Sequence, residues 1–262
     1  MRCSDCGCTY VDPVPGPAEL AEIYSLENYH GIHYAEIRAD GRYRDSARLL
    51  RRFCGSRNAL LDFGCGNGSF LIAARQEGFK GMGVELEATA VENAARRSGA
   101  PVMTFADVRS SGRRFEIIHL GDVLEHLPSP RDTMLELRHV LAPRGIFFVE
   151  GPLETNPSLV YFVARTLKDA KRKLGIDAPG RVAPLHLMLV DRSAQERFLA
   201  RALGLRCVHF RVFETGWPYL LEQQPLPRRP AALAKAAIGA GAIVASRVVR
   251  GWGNRFAAIL ER

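Results

Sequence analysis

The chain has 262 residues, of which 47% are hydrophobic and 24% charged, and this composition excludes disordered and fibrous classes. A chain of that length can bury a substantial core, so we expect one α/β domain with insertions. No charged segment followed by an apolar one opens the chain, which predicts no signal peptide. The apolar stretch 236–246 is too short to span a bilayer, so the expected location is cytoplasmic.

The net charge of +8 is unevenly distributed. Residues 151–262 hold 18 Lys/Arg and 8 Asp/Glu, a net of +10, and the remainder of the chain is therefore net −2. A basic half favours an anionic partner: a phosphorylated molecule, a nucleic acid or a membrane surface. An arginine-rich surface that is merely solvated has the same composition, so both interpretations stay open.

The six cysteines do not form the pattern of a secreted disulfide framework. Cys3 and Cys6, followed by Gly7, resemble one knuckle of a zinc ribbon. A closed zinc site needs four ligands, usually from two such knuckles, and the second pair is missing. We therefore predict no bound metal. A segment rich in aromatic side chains follows, before a helix predicted at 45–53; it contains Tyr24, Tyr29, His30, His33, Tyr34 and Tyr43.

The stretch 59–71 is the organising feature of the sequence. Residues 59–63 are a short apolar run with one acid, typical of a strand buried on both faces. Gly64, Gly66 and Gly68 then remove Cβ atoms at alternate positions, so the main chain can turn sharply and a ligand can approach it. A helix is predicted at 70–77, with Ser69 as its N-cap. Nucleotide-like cofactors bind at such strand–turn–helix units in open α/β sheets.

The glycine spacing distinguishes between cofactors. In the dinucleotide pattern G-x-G-x-x-G the third glycine would stand at position 69, which is Ser69. The sequence instead reads D-x-G-x-G-x-G from Asp62 to Gly68. That pattern resembles motif I of the class I S-adenosylmethionine-dependent methyltransferases. Taken alone, the stretch is also compatible with an ordinary glycine-rich turn.

Strand–helix alternation then continues through residue 150. Strands are predicted at 81–85, 101–105, 115–120 and 146–150, and helices at 88–97 and 132–141. Glu85 ends the second strand, where a carboxylate can accept hydrogen bonds from both hydroxyls of a ribose. The residues 121–128, GDVLEHLP, resemble the segment that follows strand four in the methyltransferase family. Residues 141–145 resemble its L-x-P-G-G turn, with Arg144 in place of the first glycine.

The opening of the chain resembles one bacterial branch of this family, the methyltransferase-23-like subfamily. The shared order is C-x-x-C-G, a Pro-x-Pro entry, a tyrosine-rich segment and motif I. In that subfamily the tyrosine-rich segment covers the cofactor as a lid; simple packing of these aromatics onto the sheet is the alternative. The resemblance implies a Rossmann-like α/β fold, with a seven-stranded, mostly parallel sheet, an antiparallel last strand and helices on both faces.

The resemblance also implies S-adenosylmethionine as the cofactor, with S-adenosylhomocysteine as the product. Asp107 is the acid that commonly meets the adenine amino group in the family. The implied cofactor-binding residues are Asp62, Gly64, Cys65, Gly66, Gly68, Glu85, Leu86, Asp107, Val108, Gly121, Asp122 and Val123.

We divide the chain into an N-terminal cap or lid, residues 1–53, and a methyltransferase domain, residues 54–262. Insertions at 152–192 and 213–252 are each net +3 and are expected to form the acceptor side. They contain predicted helices at 158–174 and 231–249. The second of these lacks a bulky apolar face, which favours packing or dimerisation over a membrane-surface role. A helix at 194–203, capped by Ser193, and strands at 205–212 and 253–260 complete the prediction.

Methyl transfer from a sulfonium is an in-line displacement, so the protein mainly has to align the acceptor. A hydroxyl acceptor also needs a general base, and His126 and His186 are the candidates. His119 and His209 lie within predicted strands and are expected to be structural. We predict O- or N-methylation of an anionic, glycosylated or lipid-like small molecule.

Two other functions stay open at this stage. A nucleic-acid methyltransferase is disfavoured because the chain has no basic stripe with interleaved aromatics and no N-P-P-Y or D-P-P-Y segment. A non-catalytic scaffold with a methyltransferase fold is disfavoured by the complete cofactor pattern. The expected assembly is a monomer or homodimer, without a transmembrane segment and with peripheral membrane contact as an alternative.

Overall fold

The computed structural model describes residues 1–16, 18–20, 40–86, 88–175, 186–202, 204–216 and 230–261. They form two compact units. The sheet unit is drawn from Arg38–Gly151, Phe198–Phe210 and Ala257–Arg262, and the insertion unit from Met1–Ile37, Pro152–Arg197 and Arg211–Phe256. The tyrosines at 24, 29 and 34 lie outside the described residues, so the lid stays a prediction, as does the domain boundary at residue 53.

A seven-stranded sheet has the order β4-β3-β2-β5-β6-β9-β8. The four pairings from β4 to β6 are parallel, and the last strands are antiparallel, as predicted. Apolar side chains fill the central strands, because helices cover both faces of a parallel sheet. The strands are β2 (Ala59–Phe63), β3 (Lys80–Val84), β4 (Val102–Met103), β5 (Phe115–Gly121), β6 (Leu141–Pro152), β8 (Arg206–Phe213) and β9 (Arg255–Glu261).

The helices that alternate with these strands confirm the predicted α/β fold. Their bounds are α1 (Asp40–Cys54), α2 (Ser69–Gln76), α3 (Ala88–Ser98), α4 (Phe105–Ser110) and α5 (Pro130–Val140), with a 3-10 turn at Leu124–His126. The side chains of α2 that face the sheet, including Phe70 and Leu71, are buried.

Three local predictions were wrong. The N-cap of α2 is Gly68, with φ 76°, and not Ser69. The third strand ends at Met103 rather than 105, because the hydroxyl of Thr104 accepts a hydrogen bond from the Asp107 N–H and begins α4. Ser193 does not cap the helix that follows it; the carboxylate of Asp191 accepts the Ala194 N–H at 2.8 Å and does so instead.

The insertion unit has its own small sheet and helices. Strand β1 (Thr9–Tyr10) pairs antiparallel with β7 (Met188–Leu189). The helices are α6 (Leu159–Lys173), α7 (Arg192–Ala202, which continues into the sheet unit) and α8 (Pro230–Val248), and α8 packs against α6. Among the described residues, no helix combines the length and apolarity needed to cross a membrane.

Asn156 joins three backbone segments of the insertion unit. Its side-chain amide donates hydrogen bonds to the carbonyl oxygens of Gly251 at 2.9 Å and Gly253 at 2.8 Å. Its amide oxygen accepts the N–H of Arg192 at 3.1 Å. Because the side chain is buried, these contacts satisfy backbone groups that water cannot reach.

Candidate functional site

The strand order places a ligand site beside the glycine turn. From β2 the chain builds β3 and β4 on one side of the sheet, and it then crosses to build β5 and β6 on the other. Ligands of open α/β sheets bind at this switch point, outside the carboxyl ends of the strands. Gly64 follows β2 and Asp122 follows β5, so the two chain segments meet there.

The three motif glycines all adopt positive φ, at 72° for Gly64, 53° for Gly66 and 76° for Gly68. Side chains with a Cβ rarely adopt this conformation. Space is limiting as well, since a Cβ on Gly64 would lie 2.6 Å from Cγ2 of Val123. The turn from Gly64 to Gly68 is therefore a concave backbone surface, the glycine cradle, and side chains at its glycine positions would fill it.

Glu85 extends from the end of β3 to this turn. Its Oε1 accepts the N–H of Gly66 at 2.7 Å, and its Oε2 accepts the N–H of Leu86 at 3.0 Å. Each carboxylate oxygen has a further lone pair. The carboxylate is thus held by two backbone amides and retains the capacity to accept hydroxyl groups.

Asp62, His119 and Glu150 form a buried charge network beneath the turn. His119 Nδ1 is 2.7 Å from Oδ1 of Asp62, and its Nε2 is 3.4 Å from Oε2 of Glu150. Burial alone would lower the pKa of His119, but the two carboxylates outweigh it and raise the pKa to about 9. The imidazole is therefore charged at neutral pH and attracts both carboxylates. The ring of Phe70 stacks on it, with centroids 3.7 Å apart.

Helix α1 connects to this network through contacts that sequence reasoning missed. The hydroxyl of Ser46 donates to Glu150 at 2.8 Å, and Arg42 pairs with Asp122 at 3.2 Å. Asp122 has φ 56°, and its N–H donates to the Glu150 carbonyl oxygen at 3.1 Å. No local motif marks Arg42 or Ser46, because both partners lie about a hundred residues away in the chain.

The other predicted cofactor residues are distributed as follows. Cys65 is buried beside β3, and burial raises the pKa of its thiol, which makes it a packing residue rather than a nucleophile. Asp107 accepts the Thr104 hydroxyl at 2.6 Å in the first turn of α4. Val108 is buried, and Leu86 is exposed. Gly121 ends β5 beside the ring of His119. A Cβ built on Gly121 would lie 2.7 Å from Cε1 of that ring.

The candidate bases lie on different elements. His126 ends the 3-10 turn of the sheet unit and is half-buried. His186 belongs to the insertion unit, where its Nδ1 pairs with the carboxylate of Glu154. A carboxylate on one imidazole nitrogen fixes the ring's orientation and tautomer, as in known base dyads. His119 is buried within the sheet, and His209 in β8 stacks near Phe53, with centroids 4.7 Å apart.

The residues of the turn fit the cofactor that the sequence implies. Oδ2 of Asp62 is buried and has no hydrogen-bond partner among the described residues, although buried polar atoms normally have one. An α-ammonium group would satisfy it, the glycine cradle would accommodate a methionine chain, and the Glu85 carboxylate would accept ribose hydroxyls. The site thus offers complementary chemistry for the ammonium group, the methionine chain and the ribose of S-adenosylmethionine, and Asp107 and Val108 stay predictions for the adenine.

Solved structures of methyltransferases share this fold. The alignment with an S-adenosylmethionine-dependent methyltransferase from Archaeoglobus fulgidus has 18% identity, a TM-score of 0.57, and covers 89% of this chain and 100% of the other. The Burkholderia thailandensis 1,6-didemethyltoxoflavin-N1-methyltransferase, with 1,6-didemethyltoxoflavin and S-adenosylhomocysteine bound, has 18% identity and a TM-score of 0.56, over 97% and 94% of the chains.

A third similar structure is the plantazolicin methyltransferase BpumL with a triazolic desmethylPZN analogue and S-adenosylhomocysteine. It is 10% identical, with a TM-score of 0.57, over 94% of this chain and 95% of the other. At such identities these likenesses show the fold alone. No curated protein sequence matches the chain significantly.

The family itself is shown by sequence. The profile of a family described as "Methyltransferase domain" matches residues 34–220, which is more than half of the chain. That match includes the glycine turn, Glu85 and the buried network beneath them. The protein therefore belongs to this methyltransferase family and is an S-adenosylmethionine-dependent methyltransferase.

Proposed function

We propose that this enzyme methylates an oxygen or nitrogen of a small-molecule acceptor that is anionic, glycosylated or lipid-like. The observation that carries the proposal is the cofactor cradle in the sheet unit combined with a net charge of +3 in each insertion. Two of the structurally similar enzymes hold an organic molecule beside S-adenosylhomocysteine: 1,6-didemethyltoxoflavin in one and a triazolic desmethylPZN analogue in the other. The positive charge of the two insertions, 152–192 and 213–252, would favour an acceptor that carries negative charge.

Each part of the cradle has a proposed role in holding the cofactor. Asp62 receives the ammonium group, the backbone from Gly64 to Gly68 lies along the methionine chain, and Glu85 accepts the ribose hydroxyls. Asp107 and Val108 contact the adenine. Cys65, Leu86, Gly121, Asp122 and Val123 complete the walls. S-adenosylmethionine supplies an electrophilic methyl group; the protein has to align the acceptor with it and exclude water.

We assign the general base to His186, with Glu154 as its orienting carboxylate. The contact at Nδ1 orients the ring, and the imidazole is the group that would take the acceptor's proton. His126 is the second candidate, because it follows β5 on the switch-point side of the sheet. A nitrogen acceptor that already presents a lone pair would need neither residue.

Cofactor binding tests the foundation of this proposal. Calorimetry with S-adenosylmethionine should show binding by the wild type and a loss of affinity of about 10- to 100-fold for Glu85→Gln, since hydrogen bonds to a charged group contribute about 1.5–3 kcal/mol. Glu136→Gln is the matched control, because that carboxylate is exposed on α5 and pairs with Arg109 at 3.1 Å. Absence of binding heat in the wild type would reject the cofactor assignment.

Acceptor classes can then be compared by the S-adenosylhomocysteine they release. We expect turnover with anionic or lipid-like small molecules, and a lower kcat for His186→Gln without a change in cofactor affinity. Turnover confined to RNA or DNA, with binding that weakens steeply with salt, would replace this proposal by the nucleic-acid alternative.

A further inference from the structure

The helices α6 and α8 of the insertion unit present large apolar side chains to solvent. On α6, Leu167 is 54% exposed, and Leu174, which follows the helix directly, is 72% exposed. On α8, Val244 is 59% exposed and Val248 80% exposed. Isolated exposed apolar residues are ordinary, whereas a group of them on adjacent helices marks a binding surface.

Helix geometry relates the exposed residues within each helix to its contact with the other helix. The helices meet where Leu159 of α6 approaches Gly241 of α8. A Cβ built on Gly241 would lie 3.4 Å from Cδ2 of Leu159. Leu167 stands eight residues after Leu159, and Val244 and Val248 stand three and seven residues after Gly241. Those spacings keep side chains on the same side of a helix. The exposed apolar rows therefore flank the contact between α6 and α8.

Basic side chains surround these rows. Residues 159–175 and 230–250 contain eight Lys/Arg and a single acid, Asp169, and all eight bases are exposed. They are Arg165, Lys168, Lys171, Arg172, Lys173, Lys235, Arg247 and Arg250. We call the exposed side of α6 and α8, with these bases and the apolar rows, the basic-apolar face.

We propose that the basic-apolar face docks on an anionic phospholipid bilayer. Basic side chains are attracted to the negative surface potential of such a membrane, and leucine and valine side chains enter the boundary between headgroups and acyl chains. Lysine and arginine suit this position, because their aliphatic stems cover apolar surface while the charge stays in water. The sequence of α8 alone lacks a bulky apolar face. The exposed apolar area arises from α6 and α8 together.

A second copy of the chain and a nucleic acid fit the basic-apolar face less well than a bilayer. A second copy of the chain would bring eight bases against eight bases, with one acid on each side to offset them. A nucleic acid would neutralise the charge but would leave the leucine and valine side chains in water. The bilayer is the partner that complements both properties. This proposal does not depend on methyl transfer, and its failure would leave the proposed function intact.

Vesicle sedimentation with the full-length protein tests the proposal. Vesicles of phosphatidylcholine alone should leave the protein in the supernatant, and vesicles in which phosphatidylglycerol replaces a third of the lipid should pellet it. Raising the salt should release it, since exposed charges are screened. Equal binding to both kinds of vesicle, or binding to neither, would overturn the proposal.

Paired variants locate the binding surface. The triple change Lys168→Gln, Lys171→Gln and Arg172→Gln should lower partitioning about a hundredfold, since each base near an anionic surface contributes about 1 kcal/mol. Its control removes the same charge from exposed loops and helix ends of the sheet unit: Arg97→Gln, Arg113→Gln and Arg114→Gln. Equal losses in the two triple variants would show a non-specific charge effect and reject this face.

The apolar part has its own test. Leu167→Ser with Leu174→Ser should reduce partitioning even at low salt, whereas Val14→Ser, at an exposed apolar position elsewhere in the insertion unit, should not. These exposed substitutions are expected to leave thermal stability within a degree or so of the wild type. Unchanged vesicle binding by the leucine variant, or a homodimer in ultracentrifugation that only this variant disrupts, would replace the bilayer by another occupant.

Discussion

The two units of the molecule place their charges differently. In the sheet unit Asp62, His119 and Glu150 are buried and pair with one another beneath the glycine turn. In the insertion unit the helices α6 and α8 keep their bases in solvent. Buried charges that pair with one another fix a geometry, whereas exposed charges attract partners at little cost. Under the two proposals, the sheet unit holds the cofactor in a fixed geometry and the insertion unit serves recognition.

The glycine turn gives the sharpest test of rigidity in the sheet unit. Gly64→Ala should lower the affinity for S-adenosylmethionine about a hundredfold, measured by calorimetry. The left-handed φ costs an alanine about 1–2 kcal/mol, and overpacking against Val123 costs about 1–3 kcal/mol more. We expect both costs to act on the turn that holds the cofactor.

A substitution at a second glycine separates the backbone cost of positive φ from the cost of overpacking. Gly55 also has positive φ, at 56°, but a Cβ there would meet nothing within 4 Å. Gly55→Ala should therefore lose stability by the backbone cost alone and keep its cofactor affinity. If Gly64→Ala bound the cofactor like the wild type, the cradle would not be the binding site.

Replacing His119 tests the buried network. His119→Gln should lower the free energy of unfolding by about 3–5 kcal/mol at pH 6.5, because it leaves two buried carboxylates without a cation. Chemical denaturation measures the loss. His139→Gln is the control, since His139 is exposed in the last turn of α5. A neutral outcome for His119→Gln would mean that the network does not stabilise the sheet unit.

The pH dependence has a defined sign. The pKa of His119 is raised to about 9 in the folded protein, above the ordinary value of about 6.5 for an unfolded chain. Its stabilisation is therefore fully present below about pH 6.5 and is lost as the pH rises through 9. Denaturation curves should show this decline in the wild type and a flatter profile in His119→Gln.

Asn156 offers the matching test in the insertion unit. Asn156→Ala removes three hydrogen bonds to backbone segments and should cost about 3 kcal/mol. We expect faster hydrogen exchange near Gly251, Gly253 and Arg192, with an unchanged affinity for S-adenosylmethionine. A parallel loss of cofactor affinity would contradict the division of roles between the two units.

The predictions from sequence succeeded where local structure depends on consecutive residues. The D-x-G-x-G-x-G stretch identified the turn, because its glycines adopt positive φ within five positions. Glu85 was placed correctly at the end of a strand for the same local reason. The network under the turn was not foreseen, since Ser46 and Glu150 are 104 residues apart in the chain.

Errors at element ends also have a physical basis. A cap depends on which side chain can reach an unpaired N–H, and neighbouring polar residues compete for that role. Asp191 caps α7 in place of the neighbouring Ser193, and Thr104 caps α4, a helix that the sequence did not predict. The basic-apolar face was missed for a different reason: it needs the packing of α6 against α8, which a single helix pattern does not reveal.

The smallest expected effect concerns Arg144, where the family pattern has a glycine. Strand β6 bulges there, because Leu141 opposes Phe115 while Ile146 opposes Ile117, and Arg144 has φ 62°. Arg144→Gly should relieve about 1–2 kcal/mol of backbone strain and lose about 0.4–1 kcal/mol through the freer unfolded chain. The net gain, about 0.5–1 kcal/mol, should raise the melting temperature by about 1–4 °C. Arg114→Gly, at an exposed position without positive φ, should lower it instead. A lower melting temperature for Arg144→Gly would mean that the arginine side chain stabilises the bulge by more than its backbone strain costs.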